Sequence, residues 1–541
     1  MRIADAIAKY LELNNVKHVF GIGAGTVGAL YDAIHDTEIE VIVTRNEAGS
    51  TYSASRYSSM SKKISACILA GGVGINNGIN GVADAHRVKA PVLIISGFVN
   101  RWQMGKGAVQ ELNTENILAP ITKYSKTVLE EKDVLPELKR AIECALTPPY
   151  GPVHISIPID VQIAEYTDTL PDIVKIDPAN VYDSHSLKEA VSMINKVPSG
   201  LIMIGKGARG LGEEVKSLSS RLGWPIISTP EGKSVVEGTF PYHLGNYGFC
   251  SSDAAVHFVE KSDYDLVLIL GTSLGESATR NFNEVLVKGK QVIHIDYDNK
   301  ELGKVFDCEL LVHQDLNNAL PYILENTEKK SGEFNPPEKI NEPYVKNHTG
   351  ISVRLLMEKL PDLMPKNTTF LSDIGEYMNF VFKYLHIKEG MDYETSLNYG
   401  AMGNCVAGVM GAYLTDEQRK YAVIVGDGSF FMNGTEILTA RQYNMPIVYF
   451  VLNNAMYGYV EHGQRFIYKR PPQGHSYERF SICDMAKAMD IKAFQITELS
   501  QLDAYKEDFA SLEGPILVEL ITDGSEKVPA ADRFKSLSNE K

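Results

Sequence analysis

The stretch that decides the fold is "VIVGDGSFFMNGTEILTARQYNMPIVYFVLNNAMYG", from Val423 to Gly458. An apolar run ends at Gly426-Asp427-Gly428, a helical pattern follows, and a second apolar run ends at Asn453-Asn454, 24 residues later. Two strands joined by a crossover helix run parallel. Their polar tips therefore lie side by side at the carboxyl edge of one sheet, where open α/β sheets bind ligands.

The residues at these tips are suited to a magnesium-bridged diphosphate. Asp427 and Asn454 supply hard oxygen ligands, and the backbone carbonyl of Met456 offers a third, which leaves coordination positions for phosphate oxygens. The glycines of the turn let backbone N–H groups and Ser429 approach the phosphates at a helix start. A lone G-D-G turn is common, but the N-N pair at this spacing makes the pattern specific.

Outward from this stretch, helical periods alternate with short Val/Ile-rich runs along the whole chain, which predicts parallel strands joined by helices. The stretches 165–186 and 325–350 break the alternation with polar residues, Pro and Gly. The sequence therefore predicts an α/β fold of three doubly wound parallel-sheet domains, at residues 1–165, 186–325 and 350–525.

Composition bounds the class of protein. The chain has 541 residues, 44% of them apolar and 22% charged, and a formal net charge of −15. This acidic balance argues against binding to nucleic acid or to an anionic membrane, and the longest apolar runs are far too short to cross a bilayer. An N-terminus without a secretory pattern predicts a cytoplasmic protein. Six scattered cysteines predict neither a disulfide framework nor a zinc site.

The Val423–Gly458 stretch resembles the thiamine diphosphate-binding signature of the acetolactate synthase and 2-oxo acid decarboxylase superfamily. The resemblance extends to "RNEAGSTYSASRYS" (45–58), "PPYGPVHISIPIDV" (148–161) and "NYGAMGNCVAGVMGA" (398–412). It implies a pyrimidine-binding domain, a central Rossmann-like domain and a diphosphate-binding domain, in that order. It also implies thiamine diphosphate and Mg²⁺ as cofactors, with Asp427, Asn454 and Met456 as the metal ligands.

The resemblance assigns roles to single residues. Glu47 would hydrogen-bond the pyrimidine ring and so activate the cofactor's own base. Met402 would support the bend of the cofactor, and the carbonyl of Gly400 would accept from its amino group. The full set of implied cofactor contacts is Glu47, Gly375, Gly400, Met402, Gly426, Asp427, Gly428, Ser429, Asn454, Met456, Tyr457 and Gly458.

A glycine-rich pattern with two possible interpretations lies near the N-terminus, where Gly23, Gly25 and Gly28 form the motif G-x-G-x-x-G after an apolar run. With Glu47 at the end of the next strand, the pattern fits a dinucleotide-binding fingerprint. The family resemblance gives another interpretation, in which Gly25 and Thr26 form a loop tip that faces the reaction centre. We favour this interpretation, and NAD is the less favoured alternative.

The resemblance implies decarboxylation of a 2-oxo acid such as pyruvate. Simple decarboxylases of the superfamily place histidines by the thiazolium, but no His-His pair occurs here and Ile68 stands at one such position. This favours a carboligase that transfers the acyl unit to a carbonyl acceptor. The alternatives are a non-oxidative 2-oxo acid decarboxylase that releases an aldehyde, and a cofactor-binding protein without catalysis.

Two further residues match the acetolactate synthase pattern for the substrate channel. Gln110 in "AVQEL" and Lys123 in "ITKYS" would face the substrate, and Lys123 could attract its carboxylate. A solvated surface position is an equally good interpretation of either residue. Because Glu47 and Asp427 lie in different domains, we expect a homodimer or homotetramer with active sites at the subunit interface, as in the family.

Departures from the family pattern affect the acceptor pocket and the diphosphate loop. Tyr459 and Gly463 replace the usual Met and Trp, whereas Glu461 and His462 keep the decarboxylase alternative open. Glu376 stands where acetolactate synthases have glutamine. Because a carboxylate would repel a diphosphate, we expect Glu376 to turn away or to form a salt bridge.

The central region carries a second G-x-G-x-x-G, at Gly205, Gly207 and Gly210. Anabolic acetolactate synthases bind FAD in this domain. Their F-D-D-R element is absent from "GTSLGESATRNF", so FAD is a less favoured alternative.

Overall fold

The computed structural model describes residues 1–176, 185–330, 343–346 and 348–529. They form three six-stranded sheets, and every pair of neighbouring strands in them is parallel. The predicted α/β class is therefore confirmed. The sheets span 18–158, 200–313 and 368–521, inside the three predicted domains. The boundaries themselves stay predictions, because both predicted breaks lie partly outside the described residues.

The first sheet has the strand order β2-β1-β3-β4-β6-β5. Its strands are β1 (His18–Gly21), β2 (Glu40–Val43), β3 (Ser65–Leu69), β4 (Val92–Phe98), β5 (Tyr124–Thr127) and β6 (Val153–Pro158). Its helices are α1 (Ile3–Leu13), α2 (Gly28–Ile34), α3 (Glu47–Ser61), α4 (Val73–Arg87), α5 (Thr114–Leu118), α6 (Val134–Leu146) and α7 (Ile159–Ile163).

The second sheet has the order β12-β11-β10-β7-β8-β9, the arrangement of a Rossmann fold. Its strands are β7 (Gly200–Ile204), β8 (Ile226–Ser228), β9 (His243–Asn246), β10 (Leu266–Leu270), β11 (Gln291–Asp296) and β12 (Leu310–His313). Its helices are α8 (His185–Lys196), α9 (Gly212–Leu222), α10 (Asp253–Lys261) and α11 (Leu316–Asn326).

The third sheet has the order β14-β13-β15-β16-β18-β17, which repeats that of the first sheet. Its strands are β13 (Thr368–Ser372), β14 (Asp392–Glu394), β15 (Lys420–Gly426), β16 (Ile447–Asn453), β17 (Lys492–Ile496) and β18 (Ile516–Ile521). Its helices are α12 (Val353–Leu363), α13 (Met378–Tyr384), α14 (Asn404–Tyr413), α15 (Asp427–Asn433), α16 (Ile437–Gln442), α17 (Gly458–His462), α18 (Ile482–Ala488) and α19 (Lys506–Ala510). A π-helical turn, Gly463–Ile467, extends α17.

The central strands of each sheet are buried along their whole length, because helices cover both faces. β3, β4, β10, β13 and β16 are buried at every position. Such strands read as continuous apolar runs rather than as alternating ones. The burial of both faces therefore explains why these strands could be predicted from apolar runs in the sequence.

Helix α3 joins the first and third units. It is rich in small polar residues, yet almost all of it is buried, packed between α4 and α14. Ser53 Oγ donates to the carbonyl of Ala407 at 3.0 Å. Arg56 forms a buried salt bridge with Glu394 at 2.7 Å, and Lys206 and Arg209 of the central unit reach the same carboxylate. One carboxylate thus connects all three units.

None of the helices in the described part of the chain combines the length and the apolar character needed to cross a membrane.

Candidate active site

The structure joins the two predicted strand tips directly. β15 and β16 are neighbours, with Gly426 paired to Leu452. Asp427 is 2% exposed, and its carboxylate accepts from the N–H of Gly428 at 2.9 Å and of Ala455 at 2.7 Å. The second of these hydrogen bonds ties the tip of β15 to the turn after β16, so the two polar tips form one structural unit.

The turn after β16 presents Asn454 and Met456. Ala455 adopts φ 58°, and Asn454 Oδ1 accepts from the Met456 N–H at 3.1 Å. A neighbouring loop secures this turn, because the Tyr457 N–H donates to the carbonyl of His475 at 2.6 Å. Asn453, the other half of the N-N pair, turns inward and donates to the buried Glu519 at 2.6 Å. The pair therefore divides into one structural amide and one that lines the cavity.

A cavity with about 850 Å³ of empty space, its mouth included, lies over these tips. It collects most of the predicted cofactor contacts of the third domain, namely Gly375, Met402, Gly426, Asp427, Gly428, Ser429, Asn454, Met456, Tyr457 and Gly458. Gly400 is exposed, with φ 74°, and does not line the cavity. Glu376, Tyr459 and Val460 also line it.

The cavity fits a metal-bound anion. Burial raises the pKa of Asp427 to about 6, and in the described part of the chain this carboxylate forms no salt bridge. A bound cation would remove that penalty, since a nearby positive charge favours the ionised form. A carboxylate, an amide and a backbone carbonyl are oxygen donors of the kind that Mg²⁺ prefers. The described residues contain no cluster of three or more His, Cys, Asp or Glu side chains that could hold a metal ion. A site made of one carboxylate, one amide and one backbone carbonyl does not need such a cluster.

Close packing explains several glycines at the floor of the cavity. A Cβ on Gly428 would lie 2.6 Å from the Tyr457 ring, and one on Gly375 would lie 2.4 Å from the Tyr377 ring. Ser429, in the first turn of α15, donates its hydroxyl to the carbonyl of Ile374 at 2.6 Å. The loop after β13 is thereby fixed to the start of α15.

Glu47 lies at the carboxyl edge of the first sheet, not in this cavity. It is the first residue of α3, is half-buried, and accepts from Asn77 Nδ2 at 3.0 Å. Asn77, on α4, was not singled out in the sequence, and nothing in its neighbourhood would have revealed it.

The loop after β1 lies at the same edge. Gly25–Val27 form a 3-10 turn, and Thr26 Oγ1 accepts from the Gly71 N–H at 3.1 Å. Gly25 is exposed, and a Cβ added to Gly23, Gly25 or Gly28 would meet nothing within 4 Å. Internal packing therefore does not require these three glycines.

Gln110 and Lys123 are far apart in the fold. Gln110 is exposed, has φ 67°, and places its carbonyl oxygen 2.6 Å from a Cβ built on Gly72. Because the neighbouring Gly71 contacts Thr26, Gln110 lies at the same carboxyl edge of the sheet as Thr26. Lys123 precedes β5 and so lies at the opposite, amino edge of the parallel sheet, where its ammonium donates to the carbonyls of Cys144 and Thr147. The structure does not bring Lys123 to the other predicted residues, because Lys123 precedes its strand, whereas the other residues follow the carboxyl ends of strands that run parallel to β5.

Glu461 and His462, which keep the decarboxylase alternative open in the sequence, lie on α17. Neither lines the cavity, whereas Tyr459 and Val460 of the same helix do. Glu461 is 7% exposed and pairs with Arg465, and His462 Nε2 lies 3.3 Å from it. Glu376 does not turn away, because it lines the cavity. The other expected outcome, a salt bridge, requires a protonated His462, whose Nδ1 lies 3.5 Å from one oxygen of Glu376.

In the central unit, the glycines of the second G-x-G-x-x-G pack against the end of β10. A Cβ on Gly205 would lie 2.4 Å from the carbonyl oxygen of Gly271, and one on Gly207 would lie 2.8 Å from Gly271 Cα. A separate crevice runs past this turn, lined by Lys206, Asp296 and Asp298 among others. FAD binding there stays an untested alternative.

Comparison with known proteins gives the same order of domains. The N-terminal, central and C-terminal domain models of thiamine pyrophosphate enzymes match residues 1–117, 187–323 and 373–520. The chain is 26% identical to the probable acetolactate synthase large subunit of Methanococcus aeolicus, over 100% of this chain and 95% of that one. It is 28% identical to the acetolactate synthase large subunit of Lactococcus lactis, over 97% and 93%.

Identity to the acetolactate synthase isozyme 2 large subunit of Escherichia coli is 26%, over 98% of this chain and 97% of that one. A crystal structure of a putative thiamin diphosphate-dependent enzyme from Mycobacterium smegmatis has the same fold, with a TM-score of 0.84, 19% identity and coverage of 96% and 99%. The three matched domains together span most of the chain and establish that it belongs to the thiamine pyrophosphate enzymes, and the relatives described above are acetolactate synthase large subunits.

Proposed function

We propose that the protein decarboxylates a 2-oxo acid such as pyruvate and transfers the acyl unit to a carbonyl acceptor, with thiamine diphosphate and Mg²⁺ as cofactors. The observation that carries the proposal is the pair of joined tips, with the buried Asp427 accepting from the N–H beside Asn454 at 2.7 Å. These residues and the Met456 carbonyl would hold Mg²⁺, and Ser429 with the glycines of its turn would meet the diphosphate.

Bound thiamine diphosphate supplies a nucleophilic thiazolium carbon and an electron sink for decarboxylation. The chain's own residues orient it. Met402 would lie under its bend, since its Cε is 3.5 Å from a Cβ built on Gly428 at the floor of the cavity. Glu47, fixed by Asn77, would hold a proton at the pyrimidine ring.

The lining of the cavity favours carboligation over aldehyde release. None of the described residues that line it is a histidine, lysine or arginine, and the residues of α17 that line it are Gly458, Tyr459 and Val460. Glu461, which kept the decarboxylase alternative open, is buried against Arg465 instead. Ile68 is fully buried within β3. Among the described residues, the cavity therefore lacks the histidine that simple decarboxylases of the superfamily place by the thiazolium, which favours reaction with a carbonyl acceptor over protonation to an aldehyde.

We further propose that the active site forms between subunits of a homodimer or homotetramer. Glu47, Thr26 and Gln110 lie at the edge of the first sheet, whereas the residues for the diphosphate line a cavity on the third. The glycines at 23, 25 and 28 have open space on their Cβ side. That surface suits the approach of a cofactor held by a second subunit. A cytoplasmic location stays a prediction.

Product analysis tests the proposal. The full chain with thiamine diphosphate and Mg²⁺ is incubated with pyruvate and a panel of aldehydes and 2-oxo acids, and products are identified by mass spectrometry. We expect acyloins or acetohydroxy acids to exceed acetaldehyde. Acetaldehyde as the only product would overturn carboligation in favour of the decarboxylase. Analytical ultracentrifugation with and without the cofactors tests the proposed homodimer or homotetramer, and a monomer in both conditions would contradict it.

A further inference from the structure

Glu376 is a buried carboxyl group whose position calls for a ligand. Its side chain is 10% exposed and lines the cavity of Asp427 and Asn454. In the described part of the chain its Oε2 has no hydrogen-bond partner. A buried polar atom left unpaired costs free energy comparable to a lost hydrogen bond. The unpaired Oε2 is explained most simply if a bound ligand supplies its hydrogen-bond partner.

The backbone around Glu376 is shaped to hold it there. A Cβ on Gly458 would lie 1.5 Å from Glu376 Oε2 and 2.6 Å from its Cδ. The carboxyl group thus rests against the backbone at the start of α17, where any other residue would displace it. Gly458 seats this side chain as well as lining the cavity.

The charges around Glu376 do not supply a cationic partner. His462 Nδ1 lies 3.5 Å from Oε2, and Glu461 lies on the other side of the imidazole. Arg465 is engaged by Glu461. The remaining titratable residues that line the cavity are Asp427, Asp523, Glu526, Tyr377, Tyr457 and Tyr459. Burial, with a smaller contribution from Glu461, raises the pKa of Glu376 to about 8, and burial lowers the pKa of His462.

We propose that Glu376 binds the diphosphate of the cofactor as a neutral carboxylic acid, donating its proton to a phosphate oxygen in place of an amide donor. The ionised form would be repelled by the phosphate and would leave an uncompensated charge. The neutral form has one O–H donor, which is what an anionic oxygen requires. The inference rests on the proposed diphosphate position, and not on the fate of the acyl unit.

The experiment measures binding without turnover. Thiamine diphosphate is titrated calorimetrically into the cofactor-free full chain at saturating Mg²⁺, at pH 7 and at pH 9, for the wild type, Glu376→Gln and Glu376→Ala. With a pKa near 8, about nine-tenths of the free carboxyl is neutral at pH 7 and about one-tenth at pH 9. Since only the neutral form is competent, the ratio of the wild-type dissociation constant to that of Glu376→Gln should rise about tenfold between these values.

Glu376→Gln keeps a donor that does not titrate, so we expect it to bind at pH 7 within a few-fold of the wild type. Glu376→Ala lacks any donor at this position, so it should bind thiamine diphosphate more weakly than Glu376→Gln at both pH values. Glu461→Gln is the matched control: it neutralises a buried carboxyl group that lies on α17, close to Glu376 but outside the cavity, and it should keep most of the wild-type pH dependence.

Two results would overturn the proposal. A ratio that does not change with pH would mean that the proton on Glu376 does not matter for binding. Loss of binding in Glu376→Gln at pH 7 would mean that the carboxylate itself is needed, for example on the metal. Failure of the wild type to bind thiamine diphosphate would refute the proposed site, whereas an unexpected product would refute only the proposed reaction.

Discussion

The first and third sheets have the same strand order and bury their central strands alike, but their carboxyl edges carry different chemistry. In the first sheet the third strand, β3, ends in an uncharged Gly71-Gly72 turn, and the carboxylate, Glu47, follows the edge strand β2. In the third sheet the corresponding strand, β15, is followed directly by Asp427. The same topology thus presents the same edge twice. In the proposed site, the side chains at the tips suit one edge to the pyrimidine ring and the other to a metal-bound diphosphate.

The largest expected effect separates the two edges by function. Glu47→Gln should keep the affinity for thiamine diphosphate within a few-fold but lower turnover by about 10²–10⁴-fold, because an amide cannot hold the proton at the pyrimidine ring. Calorimetry and product formation, measured on one preparation, check both halves. Full activity in this variant would remove Glu47 from the mechanism.

Arg56→Ala tests how much the contact between the first and third units contributes to the stability of the protein. Arg56 and Glu394 are 2% and 1% exposed, and removal of one partner of a buried ion pair costs about 3–5 kcal/mol. We expect the low end, about 3 kcal/mol in urea unfolding, because Lys206 and Arg209 still contact Glu394. The three cations hold the pKa of Glu394 far below its usual range. This stabilisation is therefore complete above about pH 4.5 and is lost as the pH falls through the lowered pKa. An unchanged midpoint would mean that the contact between the units does not contribute to stability.

Asp427→Ala should act on binding rather than on turnover alone. Loss of a metal ligand should weaken Mg²⁺-dependent thiamine diphosphate binding by about 100-fold or more, since loss of an outer-shell partner already costs 10–100-fold. Titrations with and without Mg²⁺ measure this. If the variant retains metal-dependent affinity, the ion is held elsewhere.

Gly411→Ala gives the smallest effect and has a control within the chain. A Cβ on Gly411 would lie 1.9 Å from the carbonyl oxygen of Ser53, so α14 would be forced away from α3, at about 1–3 kcal/mol. Gly25→Ala adds its methyl group to open space and should change stability by less than about 0.5 kcal/mol. Thermal unfolding compares the two variants. Equal shifts would show that the α3–α14 contact is looser than described.

Much of this protein could be predicted from local patterns. Continuous apolar runs indicated the buried parallel strands, and Asp427 with Asn454 could be placed together because consecutive strands joined by a helix end at the same edge. Lys123 could not be placed, because a motif match does not reveal which edge of a sheet a residue occupies. The sequence predicts that Glu376 turns away or forms a salt bridge, since charge repulsion can be inferred from the sequence, whereas the burial that favours the neutral form of the group cannot.

The sequence by itself determined the parallel α/β class, the three units and the tips that would hold a diphosphate, since these follow from short-range periodicity and from the spacing of a few polar residues. Only the tertiary structure decided which side chains share the cavity, that Asn77 holds Glu47, and that α3 is buried between two units despite its polar residues. These features depend on contacts between segments that are from 30 to several hundred residues apart, and no local pattern in the sequence encodes them.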